Sequence, residues 1–173
     1  YQKKWLVQGN DTLPYRVLLP INYDSTKAYP VIFFLHGAGE RGRDNEKQLI
    51  HGSKLFVRED VRLKFQFITI VPQCPTTDYW SNVLREHDDA GKRSFYFLED
   101  GKPGRYMELL QELVRHIMQV YPVKKDQVYA GGLSMGGMGT FELVRRLPNI
   151  FAAAFPICGG ANPATAKSMS KVN

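Results

Sequence analysis

Apolar residues recur along the chain in short continuous runs, separated by longer segments with helical spacing. The clearest run is residues 31–35, Val-Ile-Phe-Phe-Leu, which lacks the alternation of a half-exposed strand. An uninterrupted run of this length is typical of a parallel strand that is covered on both faces. Similar runs at 65–71, 127–130 and 151–157 predict three further strands.

Helical periodicity fills the segments between these runs. Residues 105–121 contain a wide apolar stripe with a period near 3.6, bounded by Gly104 and Pro122. Weaker helical spacing occurs at 45–59, and a third helix is predicted at 135–146. Strands that alternate with helices of this length indicate an α/β fold, with a mostly parallel sheet and helices on both faces.

The N-terminal segment has a different pattern. Residues 4–7 and 15–19 flank the turn-forming sequence Gly9-Asn10-Asp11, which predicts an antiparallel hairpin. We find no repeat and no composition shift, so residues 1–173 are predicted to form a single domain. A content of 43% hydrophobic residues is sufficient for one sizeable core.

Charge and cysteine content narrow the possible partners. The net charge of +6 is spread without a polybasic tract, which argues against nucleic-acid binding. The longest apolar runs are far shorter than the roughly 20 residues of a membrane span, so no membrane partner is expected. Cys74 and Cys158 are predicted to be two buried free thiols, and their spacing suggests neither a disulfide framework nor a metal site. Tyr1 in place of Met fits a mature exported chain as well as a trimmed one, and we favour a secreted or periplasmic protein.

Residues 132–136, Gly-Leu-Ser-Met-Gly, match the G-x-S-x-G pattern of a nucleophile elbow. The motif follows a predicted strand and precedes a predicted helix, which is the context that the elbow requires. A serine in this sharp turn adopts a strained backbone that small neighbours tolerate, and its hydroxyl projects at the helix N-terminus. We therefore predict that Ser134 is a catalytic nucleophile.

The loop 36–42, His-Gly-Ala-Gly-Glu-Arg-Gly, begins where the strand 31–35 ends. A glycine-rich loop at this edge can direct backbone N–H groups toward a developing oxyanion. Ala38 and Met135 are the predicted donors, with Gly39 beside them. The competing interpretation, a phosphate-binding loop, lacks the G-K-[ST] sequence. His36 is predicted to hydrogen-bond the backbone rather than to act as a general base.

The segment 72–103 is longer than an ordinary connection, which suggests a functional role. Tyr79 and Trp80 lie there after a strand end, and their rings, together with Gly39, are predicted substrate contacts. The alternative for Trp80 is that it only packs the loop. Residues 94–98 have strand-like composition and either line the acyl pocket or cover it. A further expectation is that Glu40 and Arg41 form an ion pair.

Three motifs together resemble α/β-hydrolase carboxylesterases: the 36–42 loop, the 71–75 strand end followed by Tyr79-Trp80-Ser81, and the 131–137 elbow. The nearest branch is similar to bacterial esterases described as predicted peptidases, phospholipase/carboxylesterases or polyhydroxybutyrate-depolymerase-like, a neighbourhood that includes feruloyl and acetyl-xylan esterases. The resemblance implies attack by Ser134 on a small-molecule or polysaccharide-linked ester through an acyl-enzyme, without cofactor or metal.

The chain departs from this pattern after the elbow. In this fold the triad acid and histidine follow the serine, yet Glu142 is the only acidic residue after Ser134 and no histidine follows. Glu142 lies within the predicted helix and is a poor triad acid. We therefore expect the acid and the histidine to lie beyond Asn173, in a C-terminal part of the fold missing from this sequence; the alternative is that a partner subunit or copy supplies them. The alternatives are a prolyl-oligopeptidase-like serine peptidase and a non-catalytic pseudo-hydrolase.

Overall fold

A six-stranded sheet organises the chain, and the computed structural model describes residues 1–172. In chain order the elements are β1 (Gln2–Gln8), β2 (Asp11–Leu18), β3 (Tyr29–Leu35), α1 (Lys54–Val57), α2 (Glu59–Lys64), β4 (Ile68–Pro72), β5 (Val83–His87), β6 (Arg93–Phe97), α3 (Arg105–Val120), β7 (Val123–Leu133), α4 (Met135–Arg146) and β8 (Ala153–Ile157). Short 3-10 helices occur at Ala38–Glu40, Lys47–Leu49 and Pro163–Met169.

The sheet has the strand order β1-β2-β4-β3-β7-β8. Strands β4, β3, β7 and β8 pair in parallel, whereas β1 pairs with β2, and β2 with β4, in the antiparallel sense. Gly9 turns the first hairpin with a φ of 60°, which glycine adopts without steric cost. The mostly parallel sheet and the N-terminal hairpin are both confirmed.

Strand β3 lies inside the sheet, and its side chains enter two separate apolar clusters. Val31, Phe33 and Leu35 belong to the larger cluster, which includes the buried residues of α3 and α4. Phe34 belongs to a smaller cluster on the opposite face, where it contacts Phe56 of α1 at a ring separation of 5.2 Å. Burial on both faces explains why this strand shows no polar alternation, and it confirms the prediction of helices on both faces.

Helix α3 covers the sheet with one continuous apolar face. Seven of its residues are buried: Tyr106, Met107, Leu109, Leu110, Leu113, Val114 and Ile117. Each fully buried leucine contributes about 1.5–3 kcal/mol, so the packing of this face is a major part of the stability of the fold. The helix ends at Val120, directly before Tyr121-Pro122, close to the predicted boundary.

Two segments differ from expectation. Residues 45–59 do not form one helix, because the chain turns at Gly52 with a φ of 79°, where an added Cβ would lie 2.4 Å from the Phe34 ring. Within 72–103, β5 and β6 pair as a separate antiparallel hairpin, so this segment is not a simple loop. The strand-like residues 94–98 belong mostly to β6.

The two edge strands expose apolar side chains. Trp5 on β1 is 53% exposed, and Ile157 on β8 is 42% exposed. Strand β8 is the outer parallel strand of the sheet within residues 1–172. Over the same residues, each helix is too short or too polar to cross a bilayer.

Candidate active site

Ser134 lies at the junction of β7 and α4, and its side chain is exposed. Its backbone has φ 53° and ψ −111°, a conformation that costs a non-glycine residue roughly 1–3 kcal/mol. Two backbone hydrogen bonds hold it there: the Ser134 N–H donates to the Ile157 carbonyl at 2.8 Å, and its carbonyl accepts from the Met138 N–H at 2.9 Å. The strained, exposed serine is the geometry expected of a nucleophile elbow.

Close approach between α4 and the sheet explains the glycines on either side of Ser134. A Cβ on Gly136 would lie 2.0 Å from the Leu35 carbonyl oxygen, and a Cβ on Gly132 would lie 2.6 Å from the same atom. Both distances are far below van der Waals contact. Only glycine therefore lets the first turn of α4 pack directly on the end of β3.

The loop after β3 lies against Ser134. A Cβ on the buried Gly37 would be 3.9 Å from the Ser134 Cβ. Ala38 begins a 3-10 helix and Met135 begins α4. The N–H groups of a helix's first residues have no acceptor within that helix, so both predicted oxyanion donors lie at positions where their N–H groups are available to a ligand. Their role stays a prediction.

His36 connects this loop to the end of β4. Its Nε2 accepts a hydrogen bond from the Cys74 N–H at 3.0 Å, so its Nδ1 donates to the Gly37 carbonyl at 2.6 Å. Burial lowers the pKa of His36 from 6.5 to about 4, and the bond to Gly37 opposes this effect only in part. The imidazole is therefore neutral near pH 7 with both nitrogens engaged, in agreement with its predicted structural role.

Trp80 is fully buried. Its ring lies edge-on to His36, with 5.5 Å between ring centroids, and its Cβ would be 2.3 Å from a Cβ added to Gly139. The prediction of Trp80 as a substrate contact is thus corrected, because the indole packs beneath the loop. Tyr79 is half-buried and Gly39 is exposed, so substrate contact by these two residues stays a prediction.

Arg41 stabilises the loop through backbone carbonyls. Its guanidinium donates to the carbonyls of Ala38 at 3.0 Å, Thr76 at 3.1 Å and Asp78 at 3.3 Å. The expected ion pair with Glu40 is wrong, since Glu40 lies instead near His51, with 3.7 Å between Oε1 and Nε2.

Glu142 is buried on α4 and bound on both carboxylate oxygens. Arg145 Nε donates to one oxygen at 2.8 Å, and Arg146 Nε donates to the other at 2.6 Å. These bonds fix the carboxylate to its own helix and support the view that it is not a triad acid. Two other histidines lie in regular elements: His87 is the last residue of β5, and His116 lies within α3.

The two cysteines have different environments. Cys74 is buried as predicted, and burial raises the pKa of its thiol far above the usual range. Cys158 follows β8 with a φ of 52° and is exposed, so the prediction of a second buried thiol is wrong. The apolar run before it forms β8, which lies at the edge of the sheet.

Comparisons with known proteins agree with this geometry. The model of the Esterase family matches residues 8–169. A thermostable esterase superposes with a TM-score of 0.83 at 27% identity, over 99% of this chain and 44% of that one. A ferulic acid esterase gives 0.63 at 20% identity, over 90% and 58%. An S-formylglutathione hydrolase from Staphylococcus aureus gives 0.60 at 18% identity, over 98% and 65%. The chain thus spans less than two thirds of each of these structures.

Proposed function

This chain belongs to the Esterase family, and from that premise we propose that its protein is a serine carboxylesterase that forms an acyl-enzyme on Ser134. The observation on which the proposal depends is the exposed serine in a strained turn between β7 and α4. The positive φ of this residue and the close glycine contacts around it are both features of a nucleophile elbow.

The reaction follows from this placement. A general base removes the Ser134 proton as Oγ attacks the ester carbonyl, and the carbonyl oxygen gains the negative charge. The N–H groups of Ala38 and Met135 stabilise that charge, which collapses to expel the alcohol with the proton from the base. Water then attacks the acyl-enzyme by the same route and releases the carboxylic acid. No metal or cofactor takes part in these steps.

The general base and its acidic partner are proposed to come from residues outside 1–172. His36 has both ring nitrogens bonded, and Glu142 is bound by two arginines. The longer chains of the structural relatives leave room for these residues. The substrate is proposed to be a small-molecule or polysaccharide-linked carboxylic ester.

Fluorophosphonate labelling and 4-nitrophenyl acetate hydrolysis by the full-length protein test this proposal. Ser134→Ala should abolish labelling and reduce hydrolysis by at least about a thousandfold. Ser25→Ala, which alters an exposed serine in a turn distant in sequence from Ser134, should leave both labelling and hydrolysis unchanged. Labelling at another residue, or hydrolysis that survives Ser134→Ala, would contradict the assignment.

The same assays, extended to further substrates, separate the esterase from the two alternatives, a serine peptidase and a non-catalytic pseudo-hydrolase. A serine peptidase with this elbow would turn over an aminoacyl nitroanilide faster than 4-nitrophenyl acetate and methyl ferulate. Amide cleavage requires stronger general-acid assistance to the leaving group, so the relative rates report on the proton-transfer residues. A non-catalytic pseudo-hydrolase would fail to label even as the full-length protein.

A further inference from the structure

A cavity of about 200 Å³ opens beside the predicted oxyanion loop. Ala38, Arg41 and Tyr79 form one side of it, and the β5–β6 hairpin forms the other. Gly37 lies against Ser134 and Ala38 is the next residue, so the loop that lines the cavity also contacts Ser134. An ester bound at Ser134 could therefore extend one of its two ends into this space.

The register of the hairpin determines which side chains line the cavity. Arg85 pairs with Phe95, and His87 pairs with Arg93. Side chains two residues apart on a strand share a face, so these four residues project from the same face of the hairpin. All four line the cavity. Arg85 and Arg93 are diagonal neighbours on that face, a separation of about 7–8 Å.

The cavity is strongly basic. Arg41, Arg85 and Arg93 line it, and Glu86 is the single carboxylate among its lining residues. The guanidinium carbons of Arg85 and Arg41 lie 4.4 Å and 5.3 Å from the centre of the Tyr79 ring. The ion pairs formed within residues 1–172 use other cations. Three guanidinium groups that line one cavity with a single carboxylate give it a positive potential, which favours the binding of an anion.

We propose that this cavity, which we call the arginine pocket, selects esters that have a carboxylate on their acyl or alcohol part. The inference rests on the proposed function and adds the substrate class. Arg85 and Arg93 supply planar guanidinium groups that match carboxylate geometry. Tyr79 holds the Arg85 guanidinium by a cation–π contact, which reduces the entropy lost on binding. The volume suits a compact anionic group, since pockets for larger ligands measure about 300–1,000 Å³.

The test compares kcat/KM for two pairs of esters with the full-length protein at low ionic strength. In the acyl pair, the mono-4-nitrophenyl ester of adipic acid is compared with the neutral adipic monoamide ester. In the alcohol pair, 4-acetoxybenzoate is compared with neutral 4-acetoxybenzamide. We expect the anionic member of one pair to be preferred at least about tenfold, the range of a charge-assisted hydrogen bond. The pair that shows the preference identifies which end of the ester enters the pocket.

Arg85→Gln and Arg93→Gln should each lower that anionic-to-neutral ratio about tenfold. Lys92→Gln is the matched control, because Lys92 lies in the same hairpin and is exposed but does not line the cavity. It removes the same charge and should leave the ratio unchanged. High salt should reduce the wild-type preference, since screening weakens exposed charge interactions.

Three results would overturn the inference. If the wild type labels with fluorophosphonate and hydrolyses the neutral esters without preferring either anion, the arginine pocket is not a specificity site although the proposed function stands. If Lys92→Gln lowers the ratio as much as Arg85→Gln, the preference reflects overall charge instead of this pocket. If the wild type neither labels nor hydrolyses any ester, the proposed function fails and the inference fails with it.

Discussion

His36→Gln should remove a pH-dependent contribution to the free energy of unfolding. The side chain is 1% exposed, and its Nε2 accepts from the Cys74 N–H while its Nδ1 donates to the Gly37 carbonyl. Glutamine supplies an oxygen that can replace the Nε2 acceptor, but it does not titrate. The substitution therefore separates the titration of the imidazole from its backbone contact.

The magnitude follows from the pKa of His36, which burial lowers from 6.5 to about 4. Between these values the unfolded chain binds a proton that the folded chain excludes, so stability is complete above pH 6.5 and is lost as the pH falls toward 4. At pH 5 the unfolded imidazole is almost fully protonated, whereas the folded one is protonated in about a tenth of molecules. The resulting loss between pH 7 and pH 5 is about 2 kcal/mol.

Urea unfolding of wild type and variant at pH 7 and pH 5 measures this contribution. The difference in free energy of unfolding between wild type and His36→Gln should shrink by about 2 kcal/mol at the lower pH, because groups common to both proteins cancel. His87→Gln, at an exposed position in the β5–β6 hairpin, is the matched control. A wild-type-to-variant difference that stays constant between the two pH values would refute a buried neutral imidazole.

Two further substitutions test the packing around the elbow. Gly136→Ala places a Cβ 2.0 Å from a backbone carbonyl of β3 and should destabilise the protein by about 3 kcal/mol or more, measured by urea unfolding, with loss of esterase activity. Gly39→Ala, where a Cβ meets nothing within 4 Å, is its control and should unfold like the wild type. Glu142→Gln leaves Arg145 and Arg146 without their buried carboxylate and should cost on the order of 3 kcal/mol. Because both oxygens of Glu142 are bound by arginines of its own helix, we predict no triad role, and kcat should remain within a few-fold of wild type; a loss comparable to that of Ser134→Ala would contradict this.

The sequence alone predicted those elements in which burial determines the spacing of the apolar residues. The stripe at 105–121 predicted α3 to within one residue, because a helix packed along one face must repeat its apolar positions every 3.6 residues. The elbow was equally visible, since the close contact of Gly136 with β3 and the strain at Ser134 restrict which residues are tolerated there.

Features that depend on distant contacts were missed. Residues 83–87 include Arg, Glu and His and form β5 through pairing with β6, so the strand has little apolar signal of its own. The predicted helix at 45–59 was interrupted by the close packing of Gly52 on Phe34, which no local propensity encodes. Trp80 and Cys158 have burial opposite to the prediction, because only the folded chain shows which side of a strand end faces the core.

The energetics of the elbow indicate what residues 1–172 would supply to the proposed catalysis. The backbone strain at Ser134 is roughly 1–3 kcal/mol, and the two hydrogen bonds of its backbone offset a similar amount, about 1–3 kcal/mol together. Since these two contributions nearly cancel, the net stability of the turn comes from the packing of α4 against β3. The close contacts of the glycines are part of that packing. Ser134 and the two predicted oxyanion donors are consequently held in place by the fold before a substrate binds. Preorganisation of this kind lowers the barrier for charge development on the carbonyl oxygen, and it leaves proton transfer as the step that the proposed residues outside 1–172 have to provide.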